Sequence, residues 1–271
     1  MDALPILHIV VLALVQGITE FLPISSNAHL VLVQRFAGWA EQGLIVNVAL
    51  HVGTLGAVML YLWRDLWAMA RGLLALARGR RDPAAKLAGY LVAATVPVVI
   101  AGFLVDRYVP NGIQNLTLIA WATLIFGILL GVADRLGMTV RRVEHLKFAD
   151  VMIIGLAQVL ALIPGTSRSG ITMTAARFLG LERPESARFS MLLSIPVIVG
   201  AGVLEGYHLY HAGDAQLTAV AFLAAGLAFM TALVAIVAMM AWLRRATYTP
   251  FVLYRIALGV VLLAVVYGWA G

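Results

Sequence analysis

The sequence contains no cysteine, and only 12% of its 271 residues carry a charge. The first absence excludes disulfides and thiol chemistry, and leaves no clue to redox compartment. The second excludes an ordinary soluble enzyme, in which about a quarter of residues are charged. Acidic residues are the scarcer kind, 13 against 19 basic, for a net charge of +6. The excess sits in short connections between apolar runs, where the positive-inside rule puts it, so no nucleic-acid partner is expected. The first 22 residues lack a basic leader and a small-residue cleavage site, and are expected to stay on the mature protein.

Apolar residues make up 62% of the chain, with a mean hydropathy of +0.97. At about 20 residues per crossing there is material for about eight spans at most. Six runs are long and clean enough: 44–63, 87–105, 116–133, 189–211, 218–243 and 251–269. They predict an all-α polytopic membrane protein, one membrane domain over 1–271. Arg64, Arg71, Arg78, Arg80, Arg81 and Lys86 follow the first run, and Arg135, Arg141, Arg142 and Lys147 the third. Arg177, Arg183 and Arg188 precede the fourth, and Arg244 and Arg245 follow the fifth. The other connections are nearly bare of positive charge, so the basic ones belong in the cytoplasm. Trp39, Trp63, Trp67 and Trp269 read as interfacial, as do His8, His145, His208 and His211, and mid-span His51 reads as a helix contact.

Two further apolar stretches are interrupted. Residues 4–22 run into Pro23 and the knot Ser25-Ser26-Asn27, then a short arm at 28–36. Residues 151–163 run into Pro164 and Gly165-Thr166-Ser167-Arg168-Ser169-Gly170, then an arm at 171–181. Broken backbone at membrane depth survives only inside protein or beside a wet cavity, so each reads as a re-entrant hairpin. Aligned on their prolines, Pro23-x-Ser25-Ser26 matches Pro164-x-Thr166-Ser167, and each hairpin precedes three spans. Three crossings per repeat invert the second half, giving repeat 1 over 1–140 (hairpin 4–37) and repeat 2 over 141–271 (hairpin 151–181).

Glu20 and Arg168 lie inside these hairpins, where a charge costs about 2.5–3.5 kcal/mol. A cavity for a charged ligand, or an ion pair between them, accounts for both. Gln16 and Glu20, four apart, share a helical face, and His29 shares one with Ser26 if Ser26 caps the second arm. Carboxylate, amide, hydroxyls and imidazole suit a hard divalent cation with nucleophilic or acid–base chemistry. Thr166, Ser167, Arg168 and Ser169 between two glycines form an oxyanion cradle for phosphate.

These residues resemble a known family. The segment from Gln16 through Glu20, Ser25, Ser26 and Asn27 to His29, and that from Pro164 to Gly170, are similar to the signature regions of undecaprenyl-diphosphate phosphatases of the BacA/UppP type. The likeness extends over both motifs, their separation, and the segments 50–54 and 189–196. The family's Glu-or-Gln, three residues, Glu pattern is matched by Gln16 and Glu20. Its frequent Ser-Ser-Thr-Gly-His becomes Ser25-Ser26-Asn27-Ala28-His29, an amide replacing the hydroxyl at 27.

The resemblance implies hydrolysis of undecaprenyl diphosphate to undecaprenyl phosphate in the bacterial inner membrane, from a site opening to the periplasmic face. It also implies bacitracin resistance and a divalent cation, Mg²⁺ or Ca²⁺, held by Gln16 and Glu20. Glu20, Ser26, His29 and Arg168 are then the catalytic candidates; Ser25, Asn27, Gly165, Thr166, Ser167, Ser169 and Gly170 would contact substrate. Ser26 is the preferred nucleophile with His29 activating it or protonating the leaving oxygen, and direct attack by His29 stays open. Membrane lipid is the partner, and a homodimer is allowed. The phosphatidic-acid-phosphatase class is excluded, because no His or Asp follows Ser167-Arg168 at the spacing it needs. A secondary transporter or lipid flippase is the alternative, since paired broken helices occur there too.

Overall fold

The computed structural model describes residues 6–39, 43–108, 115–212 and 215–268; for 43–45 and 201–218 it describes the backbone alone. His208, His211 and Trp269, expected at an interface, lie outside the described side chains. Eleven α-helices follow in order among the described residues: α1 (Ile6–Thr19), α2 (Ser26–Ala37), α3 (Gly43–Tyr61), α4 (Trp63–Ala77), α5 (Pro83–Tyr108), α6 (Leu116–Leu136), α7 (Phe148–Val159), α8 (Arg168–Phe178), α9 (Arg183–Ala212), α10 (Ala215–Leu243) and α11 (Thr249–Val266). The described residues form no named strand; one isolated bridge joins Arg141 to Leu181. Four helical segments are long and apolar enough to cross a bilayer: Pro83–Tyr108, Leu116–Leu136, Ala219–Leu243 and Thr249–Val266. A fifth crossing arises if α3 and α4 are counted as one bent span. The chain is thus a multi-pass, all-helical membrane protein.

Local chemistry sets the helix ends. Asn115 accepts from the amides of Thr117 and Leu118 at 2.9 and 3.2 Å, starting α6. Asp82 accepts from Ala84 N at 2.8 Å, and Pro83 occupies the first helical position of α5. Gly38, at φ 67°, closes α2 in the left-handed conformation open to glycine.

The stretch 64–86, read as a loop, instead begins with α4, turned 78° from α3. Its buried residues are Met69 and Gly72, while Trp63, Trp67, Leu73 and Leu74 are exposed. Arg64 and Arg71 lie over the Trp63 and Trp67 rings at 5.5 and 6.0 Å. An amphipathic helix with this belt has the form of an interfacial element.

Both interrupted stretches are helix pairs: α1 and α2 joined at 20–25, α7 and α8 joined at 160–167 through a 3-10 turn at Leu160–Leu162. α8 is polar yet buried through most of its length. Two of its threonine hydroxyls bond its own backbone, Thr172 to Arg168 O at 2.9 Å and Thr174 to Gly170 O at 2.7 Å. Arg177, taken as a loop charge, is wholly buried at the far end of α8 and pairs with Asp134 at 3.2 Å. Arg183 shares that carboxylate at 2.7 Å. Neither is a free cytoplasmic charge; Arg78, Arg80, Arg81 and Lys86 remain exposed.

Packing between helices is close where glycine allows it. A Cβ on Gly53 of α3 would sit 2.1 Å from Ala225 O of α10, and one on Gly155 of α7 would sit 2.5 Å from Ala94 O of α5. α1 meets α10 the same way, at Gly17 against Ala228 and Thr231.

Candidate active site

The two turns meet. Ser169 Oγ donates to Leu22 O at 2.9 Å, and Arg168 Nη2 donates to Glu20 Oε1 at 2.6 Å. Among the described residues Ser25 and Ser167 are the two non-glycine positions with positive φ, 76° and 72°, each just before the second arm of its hairpin. The turns therefore correspond as Ser25 to Ser167 and Ser26 to Arg168. The proline-based alignment was one residue out, because the second turn holds an extra residue around Gly165. That glycine sits at φ 93°, where a Cβ would strike Ile119 O at 2.5 Å.

Beside the turns lies a cavity of about 340 Å³, with Glu20, Ser25, Ser26, Asn27, His51, Gly165, Ser167 and Arg168 among its lining. Val98, Leu162, Val197 and Ile198 make its apolar wall. Glu20 is its centre. Oε2 accepts from Ser26 Oγ at 2.7 Å and from Gln16 Nε2 at 2.9 Å, while Oε1 takes Arg168. Arg168 and the buried Glu20 form a partly buried ion pair in which each charge compensates the other. Arg168 also lies over the Phe21 ring at 5.7 Å and reaches Ser190 O at 3.5 Å.

The expected substrate contacts separate into two groups. Ser25, Asn27, Gly165 and Ser167 reach the cavity; Thr166, Ser169 and Gly170 do not line it. Ser169 and Gly170 serve the turn itself, the amide of Gly170 donating to Ser167 Oγ at 3.1 Å. Gln16 is buried behind Glu20, and its Oε1 has no partner. His29 is not brought to Ser26. Its Nδ1 meets Ser25 O at 2.7 Å and its Nε2 meets Tyr254 OH at 2.6 Å, with the two rings stacked.

A different imidazole faces the cavity. His51 Nδ1 lies 2.8 Å from Asn47 O, and a carbonyl only accepts, so Nδ1 carries the hydrogen. Its Nε2 lies 3.8 Å from Glu20 Oε2. The available signal was a polar side chain at mid-span, which favours a site over a packing contact. Arg255 was missed in the same way: it sits in the last apolar run and is wholly buried beneath both turns.

Residues 9–261 match the family described as "Bacitracin resistance protein BacA". The chain belongs to the BacA family. A relative in Rhodospirillum rubrum named "Undecaprenyl-diphosphatase 1" is 53% identical over 97% of this chain and 95% of its own. Relatives named "Undecaprenyl-diphosphatase" in Ruegeria pomeroyi and Jannaschia are 47% and 48% identical, over 96% and 94% of this chain and 98% and 97% of theirs. Within this BacA chain, the cavity supplies a hydroxyl on a carboxylate with a guanidinium beside it, a set suited to attack at phosphorus.

Proposed function

We propose that this chain hydrolyses undecaprenyl diphosphate to undecaprenyl phosphate and phosphate in the bacterial cytoplasmic membrane. The observation that carries the reading is Glu20, with Ser26 Oγ on one oxygen and Arg168 on the other. Arg168 and the Ser167 turn bind the terminal phosphate and neutralise charge that builds on it. Ser26 Oγ attacks the terminal phosphorus while Glu20 takes its proton. The bond to the bridging oxygen breaks, and lipid phosphate leaves carrying the proton that Glu20 took from Ser26. Water then attacks the phosphoserine, giving its proton to Glu20, which passes it to Ser26 Oγ as the serine–phosphorus bond breaks and phosphate departs. His29 is held away from this line of attack and fixes the Ser25 carbonyl instead.

No group of three His, Cys, Asp or Glu gathers among the described residues. The Glu20 carboxylate at the cavity, with the unpartnered amide oxygen of Gln16 buried beside it, is a donor set that would suit a hard cation. Glu20 and Gln16 would hold Mg²⁺, or Ca²⁺, and the ion would supply positive charge to the diphosphate oxygens.

The reading includes six spans, two re-entrant hairpins and halves at 1–140 and 141–271 in inverted orientation. Matching strained serines support it, as does the exchange by which α1 packs on α10 and α7 on α5. The exposed basic stretch 78–86 is cytoplasmic, and the cavity opens outward. Phosphate release by purified protein on undecaprenyl diphosphate tests the activity. It should stop with chelator and in Glu20→Gln, and no release from wild type would overturn the reading. An impermeant thiol reagent should label Ala212→Cys and spare Ala84→Cys on permeabilised-envelope cells; the reverse inverts the topology.

A further inference from the structure

Arg255 lies on α11 in an apolar stretch, yet none of its exposure remains. Every hydrogen bond its guanidinium makes ends on a backbone carbonyl. Nη2 donates to Gly165 O and Thr166 O, both at 2.9 Å, and Nη1 donates to Pro23 O at 3.3 Å. Nε reaches Thr123 O at 3.2 Å and Nη2 reaches Ala122 O at 3.5 Å, tying the group to α6. The bed is shaped for it: a Cβ on Gly127 would lie 2.7 Å from Arg255 Cβ, and one on Gly170 would lie 2.7 Å from Nη1. A single buried cation thus grips both turns of the site from behind.

Two facts make this grip directional. In a trans peptide the C=O and N–H point opposite ways, and the described backbone has no cis bond. Drawing the Thr166 carbonyl toward Arg255 therefore turns the Ser167 N–H away from it. Ser167 itself lines the cavity and keeps φ at 72°, a conformation a serine holds only when its surroundings over-determine it. Ser25, at φ 76°, follows Pro23, whose carbonyl the same guanidinium holds.

We infer that Arg255 is a positioning residue for the reaction: it never touches substrate, but orients the Thr166–Ser167 peptide so that the Ser167 N–H serves as an anion donor to the phosphate, and it locks the two strained serines in register. This rests on the diphosphatase reading of the cavity. A lysine reaches fewer carbonyls than the planar fork and should hold the turn less well.

The test compares full-length wild type, Arg255→Lys and Arg255→Met in detergent. Measured are thermal stability, kcat and KM on undecaprenyl diphosphate, and the binding of inorganic diphosphate by calorimetry. Loss of one oriented donor lowers kcat about 10²-fold, so Arg255→Met should lose about 100-fold in kcat per folded molecule with KM raised about tenfold at most. Arg255→Lys should fall between it and wild type, and diphosphate affinity should weaken about tenfold in Arg255→Met. If Arg255→Met does not fold, the lysine variant decides: wild-type kcat and wild-type diphosphate affinity in it would overturn the inference. So would Arg255→Met with kcat within threefold of wild type, or losses in both variants that only track folded protein. If wild type releases no phosphate yet diphosphate binding still falls in the variants, the activity reading fails while the orientation of the Ser167 N–H toward an anion stands.

Discussion

At the first turn the residue after the strained serine is Ser26, whose hydroxyl meets Glu20; at the second it is Arg168, whose guanidinium meets Glu20 from the other side. The cap residues differ as well. Ser167 accepts the Gly170 amide through its hydroxyl, whereas Ser25 makes no side-chain cap and leaves its hydroxyl to the cavity. One backbone frame is used twice, with a carboxylate and a hydroxyl in one copy and a guanidinium in the other. Neither turn is a phosphate site alone, because each would leave a charge unpaired in apolar surroundings.

The comparison breaks most completely at the shared carboxylate. Glu20→Gln should lower phosphate release by about 10³-fold or more, through loss of base and cation ligand. The protein should stay folded, since Arg168 can hydrate through the cavity. Loss of folded protein in membranes would make the pair structural instead. On the opposite side, Arg168→Lys should be nearly as damaging as Arg168→Ala, about 10²-fold, because a point charge cannot serve carboxylate and phosphate together. A lysine variant with most of its turnover would reduce the role to charge.

Within the first turn, Ser26→Ala should cost more kcat than His29→Ala, for His29 bonds Ser25 O and Tyr254 rather than Ser26. Equal kcat losses at unchanged thermal stability would return His29 to the reacting centre. His51→Ala, which empties the cavity wall near Glu20, should cost about tenfold or more in kcat; no effect would make it a packing residue.

The smallest effect lies at the first turn of α7. Burial opposes ionisation of Asp150, but hydrogen bonds from Arg141 and the Lys147 amide, with their charges, outweigh it and hold the carboxyl below its ordinary value. Its contribution is therefore present above the ordinary carboxylate range and is lost as pH falls through the lowered value. Asp150→Asn should lower the Tm by about 1–3 °C at neutral pH, and the difference should close in acid. A gap that persists at low pH would assign the effect to packing.

Much of the site could be read in advance because charge is so costly in an apolar run. Glu20 and Arg168 stood out for that reason, and their meeting was one of two explanations weighed. The turn residues followed from Pro23 and Pro164. The same rule also applied to Arg255, but a single arginine inside a good span was absorbed into the span. Arg177 failed for the opposite reason: near other arginines it resembled a loop charge, and only packing shows Asp134 beside it. The one-residue slip between the turns depends on φ at Ser25 and Ser167, which side-chain identity does not encode. His29 meets Ser25 O and Tyr254 while His51 faces the cavity, because i,i+3 spacing gives a shared face, not the direction in which a ring points.

The glycine contacts have a mechanical consequence. At Gly53 against Ala225 and Gly155 against Ala94 main chain rests on main chain, and at Gly17 the Thr231 side chain joins the Ala228 carbonyl, across what we read as the boundary between halves. The first two have no side-chain cushion to reshape, and sliding one helix by a residue would drive a neighbouring Cβ into a carbonyl. An alternating-access carrier needs its halves to rock past one another. Three interlocked seams spread over α1, α3 and α7 behave like keyed joints, and they favour a fixed frame around a stationary cavity, with the lipid travelling to the site.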